Sequence, residues 1–193
     1  MGRKSNGPER IAFHEAGHAV AAYLLAREFS VVTIVRRGDT LGHCALLRLS
    51  DFHPDRESDQ RTLAHLEEYM LMLYAGVASE YLHTARRGWS TAHTDVLAAR
   101  HLATNACGSN EEADIFCKLM FVRSKNLLRP AQNWAGLQAL AATLCTAQTL
   151  SFAQAKEVIE EGMASEPVCM ECGSLAAFIE PKVKGFVCLD HAQ

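Results

Sequence analysis

The sequence predicts a mainly α (α+β) protein: a helical body, a small β-hairpin or sheet beside its first helix, and a small cysteine-bearing ribbon at the C-terminus. Three observations predict it. Long stretches place apolar residues at three- and four-residue spacing, the period of a helix with a buried face. One short run is rich in β-branched residues, the composition of a strand. Finally, Cys169-x-x-Cys172 is followed after fifteen residues by Cys188-x-x-His191, two close pairs of ligand-type residues flanking a hairpin-length segment.

The elements follow in order. Pro8 suits the first position of a helix, where its missing N–H would have no partner anyway. The helix should run over residues 9–26, with Ile11, His14, Glu15, His18, Ala22 and Leu25 on one packing side. Residues 31–36 (Val-Val-Thr-Ile-Val-Arg) read as a strand, 37–40 as a turn, 41–49 as a returning strand and 50–58 as a polar loop. Residues 59–83 form a long helix on the spacing of Leu63, Leu66, Met70, Leu73, Val77 and Tyr81, with small residues from Ala75 to Ser79 that permit close helix contact. A break at residues 86–90 precedes a helix over 94–106, ended by Cys107-Gly108. Ser109 with Glu112 makes a capping box for a helix over 110–125. After Arg129-Pro130 a helix spans 133–148, and Ser151 with Gln154 caps a last one ending at Met163.

Composition sets the outer bounds. With 193 residues, 49% hydrophobic and 21% charged, the chain suits one medium domain (8–163) with a small appendage (167–193). A net charge of −3 argues against nucleic acid held by a basic surface. No apolar run has membrane-crossing length and no apolar signal region follows the N-terminus, so the expectation is a cytoplasmic chain without a membrane span. Seven cysteines, an odd number, argue against a disulfide framework. Cys44, Cys107, Cys117 and Cys145 read as small buried hydrophobes in apolar helical segments.

The chemistry concentrates in His14-Glu15-Ala16-Gly17-His18. On a helix, residues four apart share a face, so both imidazoles can reach one metal ion with Glu15 beside it. Zinc held by neutral imidazoles keeps a position open for water, which the glutamate deprotonates. Such a site needs a third ligand, and residue chemistry alone offers Glu80, His83, His93, Asp95, His101 and Asp114. Spacing does not choose among them.

Longer stretches narrow the field. The run Phe13-His-Glu-Ala-Gly-His-Ala-Val20 resembles the start of the peptidase domain of the FtsH-type ATP-dependent zinc metalloproteases. In the same order, Val32-Thr-Ile-Val-Arg-Arg-Gly-Asp-Thr-Leu-Gly42 is similar to that family's strand and glycine-bearing turn, and Ala75-Gly-Val-Ala-Ser-Glu-Tyr-Leu82 to its small-residue helix. Ser90-Thr-Ala-His-Thr-Asp-Val96 resembles the family's Ser-Thr-Gly-Ala-x-x-Asp-Leu segment. Asn133-Trp134 and Thr149-Leu150-Ser151 resemble the domain's end, so the likeness covers about residues 9–162. It implies a helical zinc metallopeptidase domain in which His14, His18 and Asp95 hold the catalytic zinc and Glu15 is the general base. Glu80 is then a neighbour that orients a ligand, or the alternative third ligand. The chain departs from the pattern in three places: the segment before Asp95 is one residue shorter, it lacks the glycine, and Val77 stands where arginine is common.

The family's membrane anchor and ATPase module have no counterpart here, since no Gly-x-x-x-x-Gly-Lys-Ser/Thr run occurs. The expected function is therefore an ATP-independent zinc metalloendopeptidase acting on unfolded or flexible polypeptide. The rival is a non-catalytic zinc-binding adaptor or regulator derived from such a domain. At the C-terminus, Cys169, Cys172, Cys188 and His191 have zinc-ribbon spacing, which implies a second, structural zinc. Lys182 and Lys184 stand against Glu171, Glu180 and Asp190, so this module suits a protein partner better than nucleic acid.

Overall fold

A computed structural model describes residues 7–36, 38, 42–46, 60–85, 93–181 and 185–191, without the side chains of Leu46, Gln60, His93 and His191. The expected loop at 50–58, the break at 86–90, most of the turn at 37–40 and part of the returning strand at 41–49 lie outside these residues. The elements are α1 (Pro8–Leu24), β1 (Phe29–Thr33), β2 (His43–Leu46), α2 (Gln60–Thr84), α3 (His93–Ala106), α4 (Asn110–Leu128), α5 (Ala131–Ala147), β3 (Thr149–Ser151), α6 (Phe152–Met163), β4 (Phe178–Glu180) and β5 (Gly185–Val187), then a 3₁₀ turn at Leu189–His191. The mainly helical α+β class stands. Among the described residues no helix is long and apolar enough to cross a membrane.

The first helix differs from the expected amphipathic one. Every residue from Ala12 to Ala22 is buried, so α1 is the central rod of the body rather than a surface helix. The helices α2 and α5 and the strand β1 pack against it. A helix hemmed in on all sides cannot display one apolar stripe; its alanines allow neighbours to come close all round. It also ends two residues early. Ala26 takes a left-handed conformation (φ 54°), with its N–H on the Tyr23 carbonyl and that of Arg27 on the Ala22 carbonyl. This is a Schellman closure with alanine where glycine is usual.

The helices α1 and α2 approach closely. A Cβ built on Gly17 would lie 2.5 Å from the Ala75 carbonyl oxygen and 2.7 Å from Ser79 Oγ. The Ser79 hydroxyl lies 2.6 Å from the Phe13 carbonyl, to which it donates, serving an α1 oxygen from within α2. Phe13 stacks on His83 at 3.8 Å between ring centres and faces Trp134 of α5 at 5.8 Å.

The sheet beside α1 has three strands, in the order β2-β1-β3, all antiparallel. The third strand was not expected. Thr149–Ser151 is too short for periodicity to reveal, and it is made a strand by pairing with β1, Val32 opposite Leu150 and Thr33 opposite Thr149. Gln148 turns the chain into it with φ 62° and accepts the Ile34 N–H. The strand β1 begins two residues earlier than expected, where Phe29 pairs with Leu46 and packs edge-on to Phe152 at 5.0 Å.

Both capping serines act as expected, with one difference. Ser151 and Gln154 form the full reciprocal box, while Ser109 takes the Glu112 N–H and the Glu112 carboxylate takes the N–H of Gly108 instead. The reading of the four scattered cysteines holds in part: Cys44, Cys107 and Cys117 are half-buried and pack against the core, Cys44 on a strand rather than a helix, while Cys145 is exposed. Apolar composition did not reveal which way each thiol faces.

The C-terminal hairpin, Phe178 opposite Val187 and Glu180 opposite Gly185, joins the α4–α5 corner. The N–H of Ala131 meets the Ala177 carbonyl and that of Ile179 meets the Arg129 carbonyl, each at 2.9 Å. The Arg129 guanidinium reaches the Glu180 carboxylate at 3.0 Å and lies over the Phe178 ring.

Gly17→Ala tests the α1–α2 approach. Alanine gains about 1 kcal/mol of helix propensity over glycine, but overpacking costs ~1–3 kcal/mol. The expected outcome is a lower urea midpoint, and an unchanged or raised midpoint would contradict the close packing.

Candidate metal centre

His14 and His18 lie on one side of α1, 8% and 7% exposed. Their Nδ1 atoms are occupied. That of His18 lies 2.7 Å from the Met72 carbonyl oxygen and that of His14 lies 2.8 Å from Glu80 Oε1. A carbonyl can only accept, so Nδ1 of His18 carries its proton, and in the neutral ring Nε2 is a free lone pair. Glu80 does the same for His14, its other oxygen taking the Arg10 Nε–H at 2.6 Å. Burial opposes ionisation of Glu80, but His14 and then Arg10 hold its carboxyl below the usual range.

The two Nε2 atoms converge. They are 3.0 Å apart, and Asp95 Oδ2, from the first turn of α3, lies 3.1 Å from His14 Nε2 and 3.5 Å from His18 Nε2. A tetrahedral zinc with bonds of about 2.0–2.1 Å sets its ligand atoms roughly 3.3 Å apart. The donor set therefore has the chemistry and spacing for zinc, and this His/His/Asp group could hold a metal ion. Gly76 of α2 backs it: a Cβ there would come within 2.6 Å of His18 Nε2 and 2.8 Å of His14 Nε2.

Glu15 points to the neighbouring space. It is 6% exposed, and burial pushes its carboxyl up against the opposing pull of His18 and His14. Gly42, at the entry to the outer strand β2, comes so close that a Cβ would lie 2.6 Å from Glu15 Oε1. Burial and the Glu15 charge raise the half-buried Cys44 thiol well above its ordinary range.

Of the other sequence candidates for a third ligand, Glu80 meets His14 at Nδ1, away from the convergent Nε2 atoms. His83 stacks on Phe13, His101 is exposed, Asp114 pairs with Arg100, and the His93 side chain is outside the described residues. The sequence reading missed Arg10, the Met72 carbonyl, Gly76 and Gly42. Arg10 had a signal, since it precedes His14 by one helical turn. A main-chain carbonyl has none.

At the other end of the chain, Cys169, Cys172 and Cys188 form a second group whose sulfurs lie within 4.8 Å of one another and could hold a metal.

Electrostatics agree with a cation at the first group. Among the described residues, Glu15, Glu80 and Asp95 face one guanidinium, Arg10, which leaves two negative charges when both imidazoles are neutral. Without a metal, protons answer that field. Burial resists a charge on His14, yet hydrogen bonds to Asp95 and Glu80 push its pKa up to about 10. His18 is raised too, Asp95 outweighing burial, and the two imidazoles hold Asp95 far below the usual carboxylate range.

The sequence profile of Peptidase family M41 matches residues 3–109, ending before the 9–162 of the motif likeness. One curated relative is the ATP-dependent zinc metalloprotease FtsH of Haemophilus influenzae, 35% identical over 100 residues. The aligned stretch is 50% of this chain and 15% of that protein's length.

Since His14 keeps its proton up to a pKa of about 10, a divalent ion must displace it at neutral pH. Affinity for the ion should rise with pH through the neutral range, and binding should release protons. Calorimetry in buffers of different ionisation enthalpy measures this; a buffer-independent heat would contradict it.

Proposed function

The chain belongs to peptidase family M41, and from that premise we propose that it is a zinc metalloendopeptidase that hydrolyses unfolded or flexible polypeptide without ATP. The observation that carries this is the convergence of His14 Nε2, His18 Nε2 and Asp95 Oδ2, 3.0–3.5 Å apart, with Glu15 beside them in the family-matched segment. In this reading the three side chains are the zinc ligands, Glu15 is the general base, and Glu80 orients His14.

Zinc bound there supplies a Lewis acid for the scissile carbonyl and lowers the pKa of a water molecule. The chain's own residues do the rest. Glu15 accepts the proton of the attacking water and delivers it to the leaving amine. Its burial favours that role, because a carboxylate with a raised pKa holds a proton more readily. Glu80 and the Met72 carbonyl keep each imidazole in the tautomer that offers Nε2. The strand β2, outermost in the sheet, offers main-chain groups to an extended peptide.

Extended backbone is what such an edge accepts, so unfolded casein is the substrate of choice for the test. Cleavage should proceed without nucleotide and stop with a chelator. Glu15→Gln should retain zinc and lose activity by ~10²–10⁴-fold. Undiminished cleavage would refute the mechanism. A wild-type chain that binds zinc and cleaves nothing would favour the adaptor reading.

The ligand set has its own test by competition with a chromophoric chelator. Asp95→Ala should abolish zinc binding at the His14 site, whereas Glu80→Gln should weaken it by about 10–100-fold. The reverse ranking would make Glu80 the ligand.

A further inference from the structure

Among the described residues, 164–191 have little apolar core of their own. Their own core is Cys169, Val187 and Cys188 with Phe178 packed against it. Meanwhile Val168, Met170, Leu175 and Leu189 are exposed by 58%, 65%, 65% and 73%. Half of the described large apolar side chains of this segment are thus left in water, and Ile179 and Phe186 pack on the body of the protein, so burial within the segment itself offsets little of the entropy of ordering its backbone. Nevertheless the backbone is tightly organised. The N–H of Cys169 bonds the Ser174 carbonyl at 2.7 Å, and the N–H of Gly173 returns to the Cys169 carbonyl at 2.9 Å. Gly173, at φ 72°, lets the chain reverse between Cys172 and Ser174.

The three thiols mark what the turn is built around. Two are buried, at 2% and 8% exposure for Cys169 and Cys188. Cys172 Sγ and Cys188 Sγ are 3.7 Å apart, too far for a disulfide bond. Tetrahedral zinc with Zn–S bonds of about 2.3 Å sets its sulfurs roughly 3.7–3.8 Å apart. The Ser174 main-chain and side-chain groups make hydrogen bonds with the Cys172 sulfur. Donors beside a sulfur are the outer support that orients a thiolate ligand.

We propose that Cys169, Cys172 and Cys188, with His191 as fourth donor, bind a structural zinc ion that folds the C-terminal segment onto the α4–α5 corner. His191 follows Cys188 by three residues and sits at the end of the 3₁₀ turn, at the spacing of a paired ligand. Four protein donors leave no position for water, so this centre stabilises and does not catalyse. It is linked to the body through Arg129, Pro130 and Ala131, whose backbones pair with the segment 177–179. Loading the site therefore secures a hairpin against the junction of two core helices. The proposal is independent of the peptidase reading.

The full chain tests it by metal analysis and cobalt spectroscopy. Zinc-supplemented wild-type protein should hold one ion for each of the two ligand groups. Cys172→Ser, at an exposed position, should lose one ion and keep peptide cleavage. A His14→Ala, His18→Ala double variant should lose the other ion. Cobalt-substituted wild type should show thiolate-to-cobalt charge transfer in the near ultraviolet. The band should persist in the histidine variant and vanish in Cys172→Ser, which separates this site from the sulfur-free one. His191→Ala should lower cobalt affinity and shift the visible bands; unchanged spectra would remove His191 from the ligand set. After metal removal, limited proteolysis should cut first within 164–193. Absence of a sulfur band, or a Cys172–Cys188 disulfide in protein purified under reducing conditions, would overturn the proposal.

Discussion

The structure depends on how closely α1 and α2 approach. At Gly17 the backbone of α1 rests on the Ala75 carbonyl and the Ser79 hydroxyl, and at Gly76 the backbone of α2 rests on the two imidazoles. Each glycine removes the side chain that would have kept the helices apart. The approach brings Met72 and Glu80 of α2 to the rings carried by α1. Were the helices wider apart, both histidines would be buried without partners for Nδ1, and a buried polar group without a partner costs of order 1–3 kcal/mol. Packing and polar satisfaction are met by one geometry.

That geometry also determines the charge of the site. Arg10, Glu80, His14 and Asp95 form a continuous chain of hydrogen bonds, and His18 joins it through Nε2. Among the described residues the carboxylates outnumber the guanidinium, and burial limits how far solvent screens them. The cluster therefore attracts cations, which are protons on the imidazoles or a divalent ion at the point where the Nε2 atoms and Asp95 meet. Two main-chain features complete it, the Met72 carbonyl on one side and Gly42 against Glu15 on the other.

The two ligand groups follow opposite designs. The first is mixed nitrogen and oxygen, lies on the central helix, and has an ionisable carboxylate beside it. The second is sulfur-rich and lies in a segment with almost no core of its own. In the first, the hydrophobic body holds the donor atoms in place; in the second, the cysteines sit where the segment has little other core.

Much of this was legible in the sequence. Helical period, Pro8, the Ser109 and Ser151 caps and the β-branched run located six helices and the first strands to within a few residues, because these signals are local. The H-E-x-x-H spacing is equally local: residues four apart on a helix must share a face, so His14 and His18 were bound to be neighbours. The Cys169-x-x-Cys172 pair is local in the same sense, and Cys188 is brought beside it. What only the tertiary structure decided is non-local. The burial of α1 on every side, the pairing of Thr149–Ser151 with β1, and the outward face of Cys145 depend on which elements surround them. So do the meeting of Asp95 with two imidazoles more than seventy residues away and the placing of Glu80 on the far nitrogen of His14. Sequence spacing fixes directions within one element. Distances between elements follow from side-chain volumes across an interface, and here from two glycines that let α1 and α2 touch.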